Sequence, residues 1–294
     1  MQYEAPGGIP DLRLPADDRT EAVREFYARA PFPGYPPRDS LQALQARARR
    51  SELARGLDEA IPGDARVVEI GCGTGQLSLF LASAERRVVA ADLARSSLEL
   101  GRDAAARYCV GNVQFVETDL RTPGLRRGAF DVVICSGVLH HTPDPRASFA
   151  AVARLARLGG VVVIGVYNAY ARLPLRLRRG IARLLGFRVI PWDPILHDRR
   201  SEPARREAWL RDQYQHVEEH RHTLGEVQGW FRENGVQYVR ALPSALLADE
   251  GPELFTQSPD DWALEGLIAQ LTWVLSLGRE GGLFVAIGSR MDTC

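Results

Sequence analysis

The segment Arg66 to Asp92, RVVEIGCGTGQLSLFLASAERRVVAAD, constrains this chain more than any other. Val67, Val68 and Ile70 make a short apolar run broken only by Glu69, and three glycines follow at alternate positions, Gly71, Gly73 and Gly75. That pattern predicts a buried strand running into a glycine turn. Leu77, Leu79, Phe80 and Leu81 then crowd into one short helical segment, and a second apolar run, Val88 to Ala91, ends on Asp92. The expected order is strand, turn, helix, strand, acid. Glycines take positive φ without strain and let a ligand approach the backbone, while the helix N-terminus that follows offers free N–H groups. An acid at the tip of the second strand, about 20 residues past the glycines, is placed to accept from a ribose diol.

The spacing also separates nucleotide cofactors. Dinucleotide sites favour G-x-G-x-x-G, whose third glycine lets helix and strand pack closely over a pyrophosphate. Here the pattern is G-x-G-x-G, preceded by Glu69. A carboxylate at that point repels a pyrophosphate but suits an ammonium or a sulfonium. S-adenosylmethionine carries both cations and no phosphate.

Composition narrows the chemistry further. The chain has 294 residues and no lysine, so that all 37 basic residues are arginine, balanced by 37 acids. Schiff-base, P-loop and kinase-type lysine chemistry are thereby excluded. With zero net charge no global field draws the protein to nucleic acid or membrane. No apolar run approaches the roughly 20 residues needed to span a bilayer, and the polar, proline-containing N-terminus does not read as a signal peptide. Cys72, Cys109, Cys135 and Cys294 show no C-x-x-C spacing, so free thiols in the cytoplasm are expected, with no disulfide and no metal. Cys72 is either a reactive thiol or a small residue that fits a tight turn.

Along the chain, residues 1–18 read as an arm, a helix is expected from Thr20 to the proline-rich stretch at 31–37, and one amphipathic helix over Ser40 to Leu57. After the opening unit come a helix over Ser96 to Tyr108 with Ser96 as its cap, a strand over Val113 to Val116, a strand over Phe130 to Cys135, a helix over Pro145 to Leu158 closed by Gly159-Gly160, and a strand over Val161 to Val166. Such alternation implies a parallel sheet, with ligands at the carboxyl ends of its strands. Glu69 to Gly75, Asp92, Asp119, Ser136 to His141 and Tyr167-Asn168 all fall at those tips. Regularity breaks after Ala169 and resumes with a helix over Leu224 to Glu233 and strands over Val236 to Val239 and Leu283 to Ile287. The expected organisation is an N-terminal arm and helical lid over 1–62, a cofactor-binding core over 63–168, a helical cap insertion over 169–222, and the rest of the core over 223–294 with a helical insertion at 243–281.

In this order VVEIGCGTG, AADL, VETDL, FDVVICSGVLHHTPDP and LGGVVVIG resemble the successive motifs of class I S-adenosylmethionine-dependent methyltransferases, closely over about Arg66 to Val166. The nearest flavour is the branch of ubiquinone and menaquinone C-methyltransferases and small-molecule methyltransferases. The resemblance implies an α/β fold: a seven-stranded, mostly parallel Rossmann-like sheet with helices on both faces, whose antiparallel last strand is Leu283 to Ile287. It implies that Gly71, Cys72, Gly73 and Gly75 pass against the methionine moiety of S-adenosylmethionine with Glu69 nearby, and that Asp92 accepts from both ribose hydroxyls. Thr118 and Asp119 fall in the adenine-side loop, where Asp119 would accept from the adenine amino group, with Leu93 and Leu120 flanking the ring. Ser136, Gly137 and Val138 would line the cofactor near its sulfonium. No Asp/Asn-Pro-Pro-Tyr/Phe motif stands at the fourth strand tip, which argues against the base-amino methyltransferases of DNA.

His140 and His141 are the candidates for acceptor chemistry, since imidazole titrates near neutrality; methyl transfer itself needs only in-line approach and proximity, and the alternative for His140 is packing beneath the cofactor. Tyr27, Tyr35, Tyr167, Tyr214, His216 and His220 are candidate substrate contacts. His216 and His220 have the i, i+4 spacing of some zinc sites, but no third ligand is evident, and a polar cap surface is the plainer reading. Phe26, Tyr27, Phe32 and Tyr35 serve either as a lid or as packing. The run Arg172, Arg176, Arg178, Arg179 and Arg183 is either a solvated helix face or a site for a phosphate, an acyl-carrier cofactor, nucleic acid or an anionic membrane. The expected function is methyl transfer by direct displacement to a small-molecule acceptor, nucleic acid being a disfavoured partner. The alternatives are an RNA or protein methyltransferase using the arginine-rich helix, and an inactive cofactor-binding accessory subunit. The insertions hold enough helix for a homodimer face.

Overall fold

The computed structural model describes residues 6–14, 34–36, 39–185, 219–245, 253–257, 263–276 and 282–291, with 21, 24, 190, 193, 196, 210 and 214 singly. The expected helix from Thr20, apart from 21 and 24, and the residues Phe26, Tyr27, Phe32 and His216 lie outside this set. In chain order the elements are α1 (Leu41–Ala48), α2 (Glu52–Ala60), β1 (Arg66–Ile70), α3 (Gln76–Ala82), β2 (Arg87–Asp92), α4 (Arg95–Tyr108), β3 (Val113–Glu117), β4 (Phe130–Ser136), α5 (Pro145–Ala153), β5 (Ala156–Tyr167), α6 (Leu173–Leu184), α7 (Leu224–Glu233), β6 (Val236–Leu242), α8 (Ala263–Ser276) and β7 (Leu283–Arg290).

The strands form one seven-stranded sheet in the order β3-β2-β1-β4-β5-β7-β6. β1 runs parallel to β2 and β4, β2 to β3, and β4 to β5, while β7 is antiparallel to both β5 and β6. The central strands are continuous apolar runs because helices cover both faces. Two separate clusters of buried side chains, one around Leu79, Phe80 and Leu98 and the other around Phe149, Trp230 and Phe231, mark those two layers. Chain order reverses direction on either side of β1, between β2 and β4, and that is where ligands of open α/β sheets collect. The fold is the Rossmann-like one expected.

Several boundaries differ from expectation, each for a local reason. The single helix over Ser40 to Leu57 is two helices, because the Ser51 side chain accepts from the Ala54 N–H and starts a new one. The helix over Pro145 to Leu158 stops at Ala153, and the strand begins at Ala156. Gly159-Gly160 is therefore inside β5 rather than a helix stop. A Cβ on Gly160 would lie 2.9 Å from the Arg157 carbonyl and 3.1 Å from those of Asp131 and Phe130, so the pair marks close backbone approach at a register shift. Ser96 is not the cap of α4. Ala94 holds that position without a side-chain bond of its own, and its N–H donates to Asp92 Oδ1 at 2.8 Å.

The arm is more ordered than its composition implies. The Glu117 N–H donates to the Pro10 carbonyl and the Leu12 N–H to the Glu117 carbonyl, both at 2.9 Å, which lays residues 10–12 along the outer edge of β3. Ile9 is buried there. The Glu117 carboxylate, also buried, is held by Arg95 at 2.7 Å and Arg13 at 3.1 Å.

Arg86 ties α2 to the start of β2. Its buried guanidinium donates to Asp58 Oδ1 at 2.8 Å and to the carbonyls of Asp58 at 2.6 Å and Ile61 at 2.7 Å. Arg86→Met keeps the aliphatic stem and strands these acceptors, so urea unfolding is expected to show a loss of about 2 kcal/mol, with the sheet otherwise retained by circular dichroism.

Candidate cofactor and acceptor site at the strand tips

The glycine loop is fixed by how closely it packs. Gly71, Gly73 and Gly75 all have positive φ, at 76°, 56° and 75°. A Cβ on Gly71 would strike Val138 Cγ2 and lie 2.9 Å from Val138 Cβ, so the loop after β1 and the loop after β4 touch only because this residue has no side chain. The N–H groups of Gly71 and Cys72 donate to the Ala91 carbonyl at 2.7 and 3.1 Å, and the Gly73 N–H donates to Asp92 Oδ2 at 2.7 Å. Cys72 is buried, and burial holds its thiol well above the ordinary range, which leaves it an inert turn residue.

Two carboxylates face this loop. Glu69 is buried on β1 and accepts a short hydrogen bond from the Ser78 hydroxyl on α3. Burial pushes its carboxyl up to about 7 against the opposing pull of Ser78. Asp92, half-buried at the tip of β2, is raised by burial as well, while N–H groups of Ala94, Gly73 and Leu93 pull it back. Among the described residues neither acid forms an ion pair. Their neighbours at the strand tips do: Asp119 is clasped by Arg121 at 2.8 Å, and Glu117 by Arg95 at 2.7 Å and Arg13 at 3.1 Å. In a chain this rich in arginine, these two acids are left to hydroxyl and backbone donors. The donor set therefore fits an ammonium and a sulfonium and disfavours a pyrophosphate.

The other tips complete the rim. Gly71, Gly73, Leu93, Leu120, Ser136, Gly137 and Val138 are all only partly covered. The Gly137 N–H donates to the Gly165 carbonyl at 3.0 Å, and no atom lies within 4 Å of where a Gly137 Cβ would stand. Asp119 has both oxygens engaged by Arg121, through its backbone N–H and its guanidinium. Thr118 turns away, its hydroxyl donating to the Pro123 carbonyl at 2.7 Å.

His140 and His141 form a short 3-10 turn after β4, and both are buried. The His140 ring lies 3.8 Å from the Tyr167 ring and 4.2 Å from that of His141, centroid to centroid. Arg172 Cζ sits 3.6 Å over the other aromatic partner in this stack, Tyr167, and its guanidinium pairs with Glu219 at 2.5 Å. Residues 220–222 join from the segment after α6: the His220 N–H donates to the His140 carbonyl and the His222 N–H to the Tyr167 carbonyl, both at 2.8 Å. The structure thus brings His140, His141, Tyr167 and His220 together. Tyr35 is elsewhere, its hydroxyl donating to the Thr74 carbonyl at 2.8 Å and its ring 6.3 Å from that of Tyr108. Tyr214 is buried against Asp193, to which it donates at 2.6 Å. No group of three His, Cys, Asp or Glu among the described residues is arranged to hold a metal.

Sequence reasoning missed Ser78 and Glu219, and read Arg172 only as part of an arginine run, not as a buried partner of Tyr167 and Glu219. Ser78 was visible as the one hydroxyl among the apolar residues of QLSLFLA; nothing in the sequence joins Arg172 to a carboxylate 47 positions later.

Comparison with known proteins agrees with this geometry. A methyltransferase-domain family matches residues 68–164. A ubiquinone biosynthesis O-methyltransferase from Xanthomonas oryzae is 34% identical over 182 residues, 60% of this chain and 71% of that protein. An uncharacterised protein from Synechococcus is 26% identical over 250 residues, 76% of this chain, which spans only 60% of that relative's length. The solved structure of magnesium protoporphyrin IX methyltransferase from Synechocystis, with S-adenosylmethionine bound, is 17% identical with a TM-score of 0.52, covering 94% of this chain and 99% of the other; at that identity the likeness is one of fold. Strand order, loop and relatives together make this chain a member of the class I S-adenosylmethionine-dependent methyltransferases.

Proposed function

We propose that this chain binds S-adenosylmethionine across the tips of β1, β2, β3 and β4 and transfers its methyl by direct displacement to a small-molecule acceptor in the cytoplasm. The observation that carries the reading is the arginine-free pair Glu69 and Asp92 on either side of the glycine loop. The cofactor supplies an electrophilic methyl on a sulfonium. Glu69 offers its charge at the cationic end, Asp92 accepts from the ribose, and Leu93 and Leu120 shield the base. Asp119 keeps lone pairs for the adenine amino group beyond those taken by Arg121.

The acceptor pocket is assigned to the His140, His141, Tyr167 and His220 cluster, next along the sheet edge from the Ser136 to Val138 loop. Orientation against the methyl is the first task of such a pocket. The close packing of His140 on Tyr167 supports a role in holding that wall, and its imidazole is the candidate base for an acceptor that must lose a proton. Among the described residues no helix is long and apolar enough to cross a membrane.

Calorimetry with S-adenosylmethionine tests the assignment directly. The chain is expected to bind it and not NAD, and Asp92→Ala is expected to weaken binding by about 10- to 100-fold, the loss of one or two charge-assisted hydrogen bonds; tight NAD binding with none of the sulfonium overturns the assignment. pH gives an independent reading. In the free protein the Glu69 carboxyl stands near 7, above its usual 4.5, so the native state holds the proton more tightly than the unfolded chain and its stability falls as pH rises from 4.5 through 7. A bound cation favours the carboxylate, so binding below about pH 7 releases a proton and affinity rises with pH through that range. Calorimetry in buffers of different ionisation enthalpy reads that proton, and Glu69→Gln is expected to abolish it. A methyl-label screen of metabolite extracts, with His140→Ala beside the parent chain, tests the base: loss of label with cofactor affinity retained supports it, and unchanged label removes it.

A further inference from the structure

Helix α6 is built inside out. Its arginines Arg178 and Arg179 turn toward acids of the protein, Asp193 at 3.6 Å and Glu219 at 2.6 Å, as does Arg172 just before it. Four of its large apolar side chains turn to solvent. Leu173 is 44% exposed, Leu177 71%, Ile181 38% and Leu184 88%. At about 100° per residue these four positions fall within an arc of about 80°, well away from the buried Leu175 and Ala182. A helix that turns two of its arginines inward and four large apolar side chains outward presents a face suited to an apolar partner.

The surrounding charge says which kind. Arg176 and Arg183 are exposed along one flank of the apolar arc, and among the described residues neither forms an ion pair. Arg221 stands nearby. Partial burial, then repulsion by Arg176, holds it below the usual arginine range, with Arg172 and Arg179 adding to the repulsion. No acid occurs between Asp144 and Asp193, a stretch with nine arginines in a chain whose net charge is zero. A second copy seated face to face would set these arginines against each other. An RNA would leave the leucines wet. A surface that is apolar at depth and anionic at its rim satisfies both features.

We propose that the α6 face, Leu173, Leu177, Ile181 and Leu184 flanked by Arg176 and Arg183, docks the protein in the plane of an anionic lipid bilayer. α8 lies beside the approach to this helix, Gln270 accepting from Asn168 at 3.2 Å, and it too exposes apolar side chains, Leu267, Ile268 and Leu271. The docking stands apart from the methyl-transfer reading and needs neither cofactor nor acceptor.

Flotation with vesicles of phosphatidylcholine, alone or with about a third phosphatidylglycerol, tests it with the full chain. The protein is expected to float with the anionic vesicles, less so as salt rises, and little with phosphatidylcholine alone. Leu177→Glu with Ile181→Glu is expected to cut the bound fraction about tenfold or more, with an unchanged circular dichroism spectrum and unchanged S-adenosylmethionine binding; Leu184→Glu, at the most exposed position, stands in if the double variant does not fold. Arg176→Ala with Arg183→Ala is expected to weaken binding to the anionic vesicles only. No flotation with either vesicle, or flotation indifferent to the leucine variants, overturns the proposal. So does a dimer in the parent chain that the leucine variants dissolve without any change in vesicle binding, which would make the face a contact between copies.

Discussion

The approach of Gly71 to Val138 is the contact on which the site depends. It brings the loop after β1 against the loop after β4, where the chain order in the parallel part of the sheet reverses. The candidate site residues are referred to it: Glu69 two residues before Gly71, Asp92 through the Gly73 N–H, and His140 and His141 two and three residues after Val138. A side chain at this position would separate the two loops.

The electrostatics follow from composition as much as from fold. With arginine as the only strong base, acids near the sheet edge are readily clasped in bidentate fashion, as Asp119, Asp131 and Glu219 are. Glu69 and Asp92 are spared because their donors are a serine hydroxyl and main-chain N–H groups, which stabilise a carboxylate without neutralising it. Burial raises both carboxyls above their ordinary range, Glu69 to about 7.

Much of the core was legible in the sequence because parallel central strands are continuous apolar runs and their tips carry glycines and acids in a fixed order. VVEIGCGTG and FDVVICS each state strand and direction in a few residues. Where the reading slipped, one residue type served two purposes. Gly159-Gly160 has the look of a helix stop, yet it is there to let β5 pass close to β4. Ser51 has the look of a tolerated helix residue, yet it caps the next helix. Long-range polar partners left no periodic trace at all. The link from Tyr167 through Arg172 to Glu219 spans two elements and the whole segment between them, and side chains that meet only in three dimensions announce nothing locally.

The N-terminal segment along β3 has a consequence of its own. A sheet of this kind ends in two open edges, each a row of unpaired main-chain donors and acceptors able to recruit a foreign strand. By pairing at Asp11 with Glu117, the chain uses a few of its first residues to shut one of those rows, and the buried Glu117 pinned by Arg13 and Arg95 fastens the closure from within. The arm so covers part of an edge of the kind that recruits foreign strands.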